Sequence, residues 1–341
     1  MNNLIVFGLN GSKSYAKKVC SHLDVNLSSN TEKYFDDGES YIKSDVNVRE
    51  ADVYIISSIY SDSKQTVNEK LVNLLWFIGS LRDASAGRIT AIIPYMGYAR
   101  QDRKTESRAP ITTKYLSQVF KSVGLDRMLA IDIHNPSAFQ NGFRIPIDNL
   151  DSFKLFTDYL CEEQESHTAG IFDPPFLVKG MDDLVVLSPD IGGMTRSGFF
   201  QTALSNRLGV DIPLAVFDKR RIDGQVHGSR IIGNVENKKV LIFDDMIATG
   251  STISKAVEAV DKHGGRVIGV CATHGLFTGN ANEALLKIDN LFITDTVPPW
   301  RLDLSRWNNK KLRIVPTFKL VAKAIRRTHE AGGSISDLLK A

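Results

Sequence analysis

Residues Val240–Thr252, with the sequence VLIFDDMIATGST, constrain this chain more than any other stretch. Four apolar residues from Val240 to Phe243 predict a strand that is buried on both faces. Two carboxylates, Asp244 and Asp245, follow directly, and Thr249–Thr252 then opens a helical pattern. We therefore expect a strand–loop–helix unit whose loop lies at the carboxyl end of the strand.

That loop has the properties of an anion site. The first N–H groups of a helix point at one spot and carry the positive end of its dipole, which favours a phosphate. The hydroxyls add donors, and Gly250 would let a ligand approach the backbone. The carboxylates would bind sugar hydroxyls or a magnesium ion. The alternative is a plain joint in which a Thr or Ser caps the helix.

Length and composition limit the class of protein. With 341 residues, 43% of them apolar and 24% charged, the chain indicates a globular protein of two domains. A net charge of +3 is too small to indicate nucleic-acid binding. No apolar run is long enough for a membrane span or a signal peptide. Three widely spaced cysteines favour a reducing cytoplasm, without a disulfide framework.

Strands alternate with helices along the chain, which predicts βαβ units and mainly parallel sheets. The two halves have a similar layout, which suggests a duplicated domain. Polar groups recur at five predicted strand ends, where open α/β sheets bind ligands. These ends are residues 94–104, 132–136, 188–193, 218–221 and 244–252. Their recurrence indicates an enzyme.

Cations are concentrated after the strand Ile89–Ile93. Arg100, Arg103 and Lys104 place three positive charges within five residues, and polyphosphate is a natural ligand for such a cluster. The chain has no G-x-x-x-x-G-K-[ST] loop, so a nucleoside triphosphate would have to bind in another way.

Three segments are predicted to lack regular structure. Residues 222–234 contain glycines and no clear period, which predicts a mobile loop. Residues 164–183 are polar and predict a long surface loop, and residues 145–148 predict a connector.

Six motifs, taken together, resemble the ribose-phosphate pyrophosphokinase family, and they occur in the family's order over most of the chain. They are FDDGE at 35–39, PYMGYARQDRK at 94–104, DIH at 132–134, SPDIGG at 188–193, DKRR at 218–221 and DDMIATGST at 244–252. The resemblance implies an α/β fold of two similar phosphoribosyltransferase-like domains, each a mainly parallel sheet flanked by helices. It implies an N-terminal domain of residues 1–149 joined by a C-terminal helix at 318–341, and a second domain of residues 150–317.

The implied activity is transfer of the β,γ-diphosphate of ATP to the C1 hydroxyl of ribose 5-phosphate, which releases AMP. The resemblance also implies a Mg²⁺ cofactor, a cytoplasmic location, and a homo-oligomer built from dimers, up to a hexamer. Neither nucleic acid nor membrane is an expected partner.

The resemblance assigns roles to residues that match the motifs. Catalytic roles fall on Lys219 and Arg221. ATP binding falls on Phe35, Asp37, Glu39, Arg100, Gln101, Asp102, Arg103, Lys104 and His134, of which the first three would be lent by a neighbouring subunit. Ribose 5-phosphate binding falls on Arg221, Asp244, Asp245, Ala248, Thr249, Gly250, Ser251 and Thr252. Metal binding falls on His134 and Asp190.

The chain departs from the family pattern at several places. Ala248 stands where many members have an acid, and Ser251 replaces a usual glycine. Residues 164–183 are longer than common, and residues 297–307 have no obvious counterpart. Two alternatives stay open: a phosphoribosyltransferase, and a non-catalytic regulatory paralogue within a synthetase assembly.

Overall fold

The structure is a computed structural model, and it describes residues 3–162, 164–165, 172–173, 175–222, 225–307 and 311–339. Side chains within residues 219–229 lie outside this description. The chain divides into two compact units. The first contains residues 1–151 and 317–340, and the second contains residues 152–316.

The first unit contains a parallel sheet and a separate hairpin. Its strands are β1 (Leu4–Gly8), β2 (Asn30–Tyr34), β3 (Ser40–Ser44), β4 (Asp52–Ile56), β5 (Arg88–Ile93), β6 (Arg127–Ile131) and β7 (Ile147–Leu150). Its helices are α1 (Lys13–Leu23), α2 (Val67–Asp83), α3 (Thr112–Ser122), α4 (Pro136–Gly142), α9 (Phe318–His329) and α10 (Ser336–Leu339). Five strands form the parallel sheet, in the order β1-β4-β5-β6-β7. Strands β2 and β3 pair with each other as the antiparallel hairpin.

Helices cover both faces of this sheet, so its central strands are apolar on both sides. Residues of α2 and α3 join one core cluster with alternate residues of the strands, such as Val53 and Ile55. On the other face, the Tyr54 hydroxyl lies 2.9 Å from Oγ1 of Thr328 in α9. Helix α2 begins at a capping box, in which the Thr66 side chain accepts from the Glu69 N–H.

The second unit contains a larger sheet and a separate pair formed by its first two strands. Its strands are β8 (Gln164–Glu165), β9 (Phe172–Asp173), β10 (Leu184–Ser188), β11 (Leu214–Ile222), β12 (Gln225–Ile232), β13 (Lys239–Ile247), β14 (Arg266–Gly275), β15 (Asn290–Thr294) and β16 (Lys311–Val315). Its helices are α5 (Phe153–Cys161), α6 (Met194–Leu208), α7 (Ser251–Lys262), α8 (Ala281–Ala284) and a 3₁₀ turn at Leu304–Trp307. Seven strands form the sheet, in the order β12-β11-β10-β13-β14-β15-β16. All pairs in it are parallel except β11 with β12.

The strand order of the second unit reverses beside β10. The chain passes from β10 through α6 to β11 on one side, and then returns to β13 on the other side. The carboxyl ends of β10 and β13 therefore flank a topological switch point, which is where open α/β sheets bind ligands.

Several boundaries differ from the predicted ones. Strand β13 continues to Ile247 and therefore includes both aspartates, because parallel pairing with β14 extends beyond the apolar core. The predicted loop at 222–234 is wrong for residues 225–232, which form β12, and residues 223 and 224 lie outside the described residues. The predicted connector at 145–148 leads into β7, which pairs with β6.

The predicted surface loop at 164–183 also contains buried chain. Leu177 is buried, and the Phe176 ring packs edge-on against Phe292 at 4.9 Å. Residues 166–171 and 174 of this segment lie outside the described residues.

Candidate active site

Two adjacent carboxylates lie within β13 and are almost fully buried. Asp244 is 9% exposed and Asp245 is 3% exposed. The Asp245 N–H donates to Oδ1 of Asp244 at 2.8 Å. This hydrogen bond holds the Asp244 carboxylate against the backbone of Asp245. Since buried carboxylates are rare unless they are partnered, this pair requires compensating charge.

Arg196 supplies that charge, and no sequence motif points to it. It lies in the first turn of α6, with Nη1 3.4 Å from Oδ1 of Asp245 and 3.9 Å from Oδ1 of Asp244. The neighbouring Ser197 hydroxyl donates to the carbonyl of Phe243 at 3.0 Å, which holds α6 against β13. The sequence indicates Arg196 only by its position: it lies six residues after Asp190, on the helix that follows β10.

The balance of charge at the pair is negative. Burial raises the pKa of Asp244 well above its usual range, and the Asp245 carboxylate beside it raises that pKa further. The Asp190 carboxylate acts in the same direction, whereas Arg196 opposes the shift. The site therefore favours ligands that donate hydrogen bonds or carry positive charge.

The loop after β13 leads directly into a helix. Gly250 is the N-cap of α7, with φ of 73°, and no side chain caps the helix there. The alternative of a Thr or Ser cap is therefore wrong. A Cβ at Gly250 would lie 3.1–3.2 Å from side-chain atoms of Leu285 and Ala284, so this glycine is needed for its φ and for close packing.

Side chains of the same loop present hydroxyls at its surface. Thr249 and Ser251 are exposed, and their hydroxyl oxygens lie 3.2 Å apart. Ala248 is half-buried, and its carbonyl accepts from the N–H of Thr278 at 2.8 Å. The loop thus combines a helix N-terminus with hydroxyl donors, as an anion site requires.

The carboxyl end of β10 carries Asp190 on the other side of the switch point. Its Oδ1 accepts from the N–H of Gly193 at 2.8 Å, and its carbonyl accepts from the Ser188 hydroxyl at 2.7 Å. These bonds hold the turn that leads into α6.

Lys219 and Arg221 lie on the hairpin of β11 and β12. Their backbones pair with Ser229 and Val226, and the register shifts between them. Their side chains lie outside what the structure describes. Strand β11 lies beside β10 and runs parallel to it. The backbones of Lys219 and Arg221 therefore lie at the same carboxyl-terminal edge of the sheet as Asp190.

The first unit contains a separate cavity of about 550 Å³ beyond the end of β5. It is lined by Val67, Tyr95, Gly97, Tyr98, Arg100 and Gln101. Among the predicted ATP residues of the adjoining loop, Arg103 and Lys104 are exposed and do not line this cavity. The aromatic walls and the guanidinium would suit a nucleotide.

Asp102 connects that loop to the end of β6. Its Oδ2 accepts from Nδ2 of Asn135 at 2.5 Å, next to His134. Asn135 also caps α4 by accepting from the N–H of Ala138 at 3.1 Å. His134 itself is exposed. The structure thus brings the predicted 94–104 and 132–136 sites together.

The turn between β2 and β3 presents Phe35, Asp37 and Glu39 at the surface. Phe35 is 49% exposed, and its ring contacts Tyr41 edge-on at 6.2 Å. The turn is closed by the Phe35 N–H, which donates to the Glu39 carbonyl at 2.8 Å. An aromatic ring half open to solvent is available for stacking.

Comparison with known proteins agrees with this arrangement. A family profile described as the N-terminal domain of ribose phosphate pyrophosphokinase matches residues 4–124, and a phosphoribosyl synthetase-associated domain matches residues 222–340. The ribose-phosphate pyrophosphokinase of Shewanella oneidensis is 38% identical over 331 residues, which cover 96% of each chain. That of Hyphomonas neptunium is 36% identical over 321 residues, covering 93% of this chain and 94% of the other.

The chain belongs to the ribose-phosphate pyrophosphokinase family. A solved structure, phosphoribosylpyrophosphate synthetase from Mycobacterium smegmatis, superposes with a TM-score of 0.80 at 30% identity, covering 96% of this chain and 99% of the other. The predicted fold class is confirmed, and the predicted function and enzyme class are confirmed for the family.

Among the described residues, no group of three or more His, Cys, Asp and Glu side chains is arranged to hold a metal ion. Within the same residues, no helix is both long and apolar enough to span a bilayer.

Proposed function

We propose that this chain transfers the diphosphate of ATP to the C1 hydroxyl of ribose 5-phosphate, producing 5-phosphoribosyl 1-diphosphate and AMP for nucleotide biosynthesis in the cytoplasm. The observation that carries this proposal is the buried Asp244–Asp245 pair, which stands directly before the N-terminus of α7 at the switch point of the second sheet.

In this proposal, ribose 5-phosphate binds to β13 and the loop that follows. The carboxylates of Asp244 and Asp245 accept hydrogen bonds from the ribose hydroxyls, and charge-assisted bonds of this kind are strong. The 5-phosphate binds the N–H groups and hydroxyls of Thr249–Thr252, with Ala248 contributing backbone only. Arg196 contacts both carboxylates and holds them in place.

ATP binds in the first unit. Arg100 and Gln101 line its cavity, and the nearby Asp102, Arg103 and Lys104 belong to the same loop. Arg100 would bind phosphate oxygens in a bidentate manner, as guanidinium groups do.

Lys219 and Arg221 act in the reaction step. Phosphoryl-type transfer depends mainly on positioning and on neutralising negative charge that develops in the transition state. Lysine and arginine side chains provide such charge, and Arg221 would also contact ribose 5-phosphate.

The described residues fit a magnesium ion bound jointly by protein and substrate. Magnesium prefers oxygen ligands and usually binds through one or two carboxylates, with waters and phosphates completing its shell. Asp190 meets this requirement and adds to the negative potential at Asp244. When bound, the ion neutralises phosphate charge; we assign Asp190 and His134 to its surroundings.

The functional protein is a homo-oligomer built from dimers. Phe35, Asp37 and Glu39 lie at the tip of an exposed turn, where they are available to a second copy. There, Phe35 would stack on adenine, and a carboxylate would accept from its amino group.

The reaction itself tests the proposal. Purified protein is incubated with ATP, Mg²⁺ and ribose 5-phosphate, and the nucleotides are separated. AMP should form in step with ribose 5-phosphate consumption. Stoichiometric ADP would contradict diphosphate transfer, no turnover would favour a regulatory paralogue, and consumption of 5-phosphoribosyl 1-diphosphate with a nucleobase would favour a phosphoribosyltransferase.

A further inference from the structure

Positive charge is concentrated on two helices of the first unit that pack against each other. Helix α1 contains three Lys or Arg residues and α9 contains four, and neither helix contains an Asp or Glu. The whole chain carries only +3, so the rest of the chain has a net negative charge. The two helices contact through the Tyr15 and Thr317 hydroxyls, 2.7 Å apart, and through the rings of His22 and Phe318.

The basic side chains of these helices lie on their exposed surfaces. Lys17, Lys18, His22, Lys319, Lys323 and Arg326 are all exposed. We call this set the α1–α9 basic face. The inward positions are small or apolar, such as Ala16 and Val19 in α1 and Val321 in α9.

Local stabilisation does not account for this arrangement. Among the described residues, the lysines of the basic face and Arg326 have no ion-pair partner. In contrast, Lys13 at the start of α1 pairs with Glu32. Lys319 and Lys323 are spaced i, i+4, where like charges destabilise a helix. Lys319 also lies in the first turn of α9, where the dipole disfavours a cation. Within the basic face, Arg326 in the last turn of α9 and His22 in the last turn of α1 are placed favourably for the dipole.

A hollow lies between the two helices. It has a volume of about 400 Å³ and is lined by Lys17, Lys18, Ser21, His22 and Phe318. Two lysines, a serine and a histidine thus line one shallow hollow, and their side chains carry groups that contact phosphate oxygens.

The character of the face limits which partner can bind it. No large apolar side chain of α1 or α9 is exposed among the described residues, so the face lacks the apolar anchors of a membrane-surface helix and of most protein interfaces. The same face of a second copy of this chain would present like charge. Each helix is about 16–18 Å long, so the charges extend over several phosphates of a nucleic-acid strand.

We propose that the α1–α9 basic face binds the phosphate backbone of single-stranded RNA without sequence preference. The hollow between the helices takes one phosphate group, and the exposed lysines follow the strand on either side. This function is separate from diphosphate transfer and does not depend on it.

The test is fluorescence anisotropy with a fluorescein-labelled RNA of mixed sequence, about 20 nucleotides long, between roughly 50 and 200 mM KCl. Saturating ATP and Mg²⁺ are present, so that the cations of residues 100–108 are occupied. In one variant, Lys17, Lys18, Lys319 and Lys323 are replaced by Gln. In the control variant, Lys114, Lys121, Lys255 and Lys262, which are exposed elsewhere, are replaced by Gln.

Each phosphate contact on a single strand contributes about 0.7 to the slope of log affinity against log salt. The basic-face variant should therefore lose roughly 2–3 in the magnitude of that slope, and at least about tenfold in affinity at the lowest salt concentration. The control variant should bind like the parent protein, and both variants should retain synthetase activity, which confirms folding.

An equal loss of RNA affinity in both variants would overturn the proposal, because the effect would then depend only on the net charge of the protein. Absence of RNA binding by the parent protein at the lowest salt concentration would also overturn it. So would binding to phosphatidylserine vesicles in place of RNA, since that outcome assigns the face to a membrane surface.

Discussion

At the scale of single residues, Asp244 and Asp245 are the groups on which ribose recognition depends. Loss of one partner from a charge-assisted hydrogen bond costs about 1.5–3 kcal/mol, or about 10- to 150-fold. We expect Asp244→Asn and Asp245→Asn each to lower kcat/KM for ribose 5-phosphate by at least this range, with nearly normal ATP affinity. Ala248→Asp is the control and should be tolerated. Steady-state kinetics measures these effects. If both Asn variants have unchanged kcat/KM for ribose 5-phosphate, the pair does not belong to the ribose site.

Arg196 contacts that pair, so we expect its variants to show a different pattern. Arg196→Gln leaves two buried carboxylates without their guanidinium, and we expect KM for ribose 5-phosphate to rise about tenfold or more. Arg196→Lys keeps the charge and should recover much of this loss. Equal effects of Gln and Lys on the KM of both substrates would indicate a purely structural role.

The pKa of Asp244 also predicts a change in stability. A carboxyl whose pKa is raised in the folded state stabilises the fold below about pH 4, and this contribution is lost as pH rises through the folded pKa. Asp244→Asn removes that loss. The free energy of unfolding of the variant, relative to the parent, should therefore increase between about pH 4.5 and 7.5. Urea denaturation at the two pH values measures it, and a constant difference would contradict the expectation.

At the scale of elements, the junction of β13 and α7 depends on one glycine. Gly250 and Gly209 have almost the same φ, 73° and 72°, but only Gly250 has neighbours within 4 Å of a built Cβ. Gly209→Ala should cost about 1–2 kcal/mol from backbone strain alone. Gly250→Ala should cost more and should also weaken ribose 5-phosphate binding. Thermal unfolding and substrate titration separate the two effects, and equal costs would show that packing at Gly250 is unimportant.

At the scale of the whole molecule, the exposed turn at residues 35–39 makes activity depend on assembly. If Phe35 completes the adenine site of a second copy, specific activity should fall as the protein is diluted below its dissociation constant. Phe35→Ala should raise KM for ATP by about tenfold, since stacking on one base is worth about 1–3 kcal/mol. Sedimentation and activity are measured over the same concentrations. Full activity in a monomeric sample would contradict the expectation.

Tyr41 offers a matched control for the Phe35 variant. It is 38% exposed and contacts the Phe35 ring, but it lies within β3 and outside the turn. Tyr41→Ala should therefore change KM for ATP much less than Phe35→Ala does. Equal changes would assign the effect to the packing of the hairpin and not to stacking by Phe35.

Sequence reasoning predicted the α/β class and most of the strands, because buried parallel strands are short apolar runs bounded by polar residues. It did not predict β2, β3, β7 or the short β8 and β9 as strands, and it also missed β12 and β16. Strand β12 contains glycine and has its partner in the adjacent β11, so its pairing, and not its own composition, determines its conformation. The same applies to the end of β13, where Asp244 and Asp245 are held by pairing with β14.

By itself, the sequence determined the family, the fold class and the motifs that follow the strands, since these depend on local order along the chain. Only the tertiary structure placed Arg196 beside the two aspartates, because a salt bridge between α6 and β13 depends on how they pack. It alone also brought α1 and α9 together, although 302 positions separate Tyr15 from Thr317. A net charge averaged over the chain concealed the basic face, whereas helix packing assembled it, because electrostatic potential depends on the distances between charges in space.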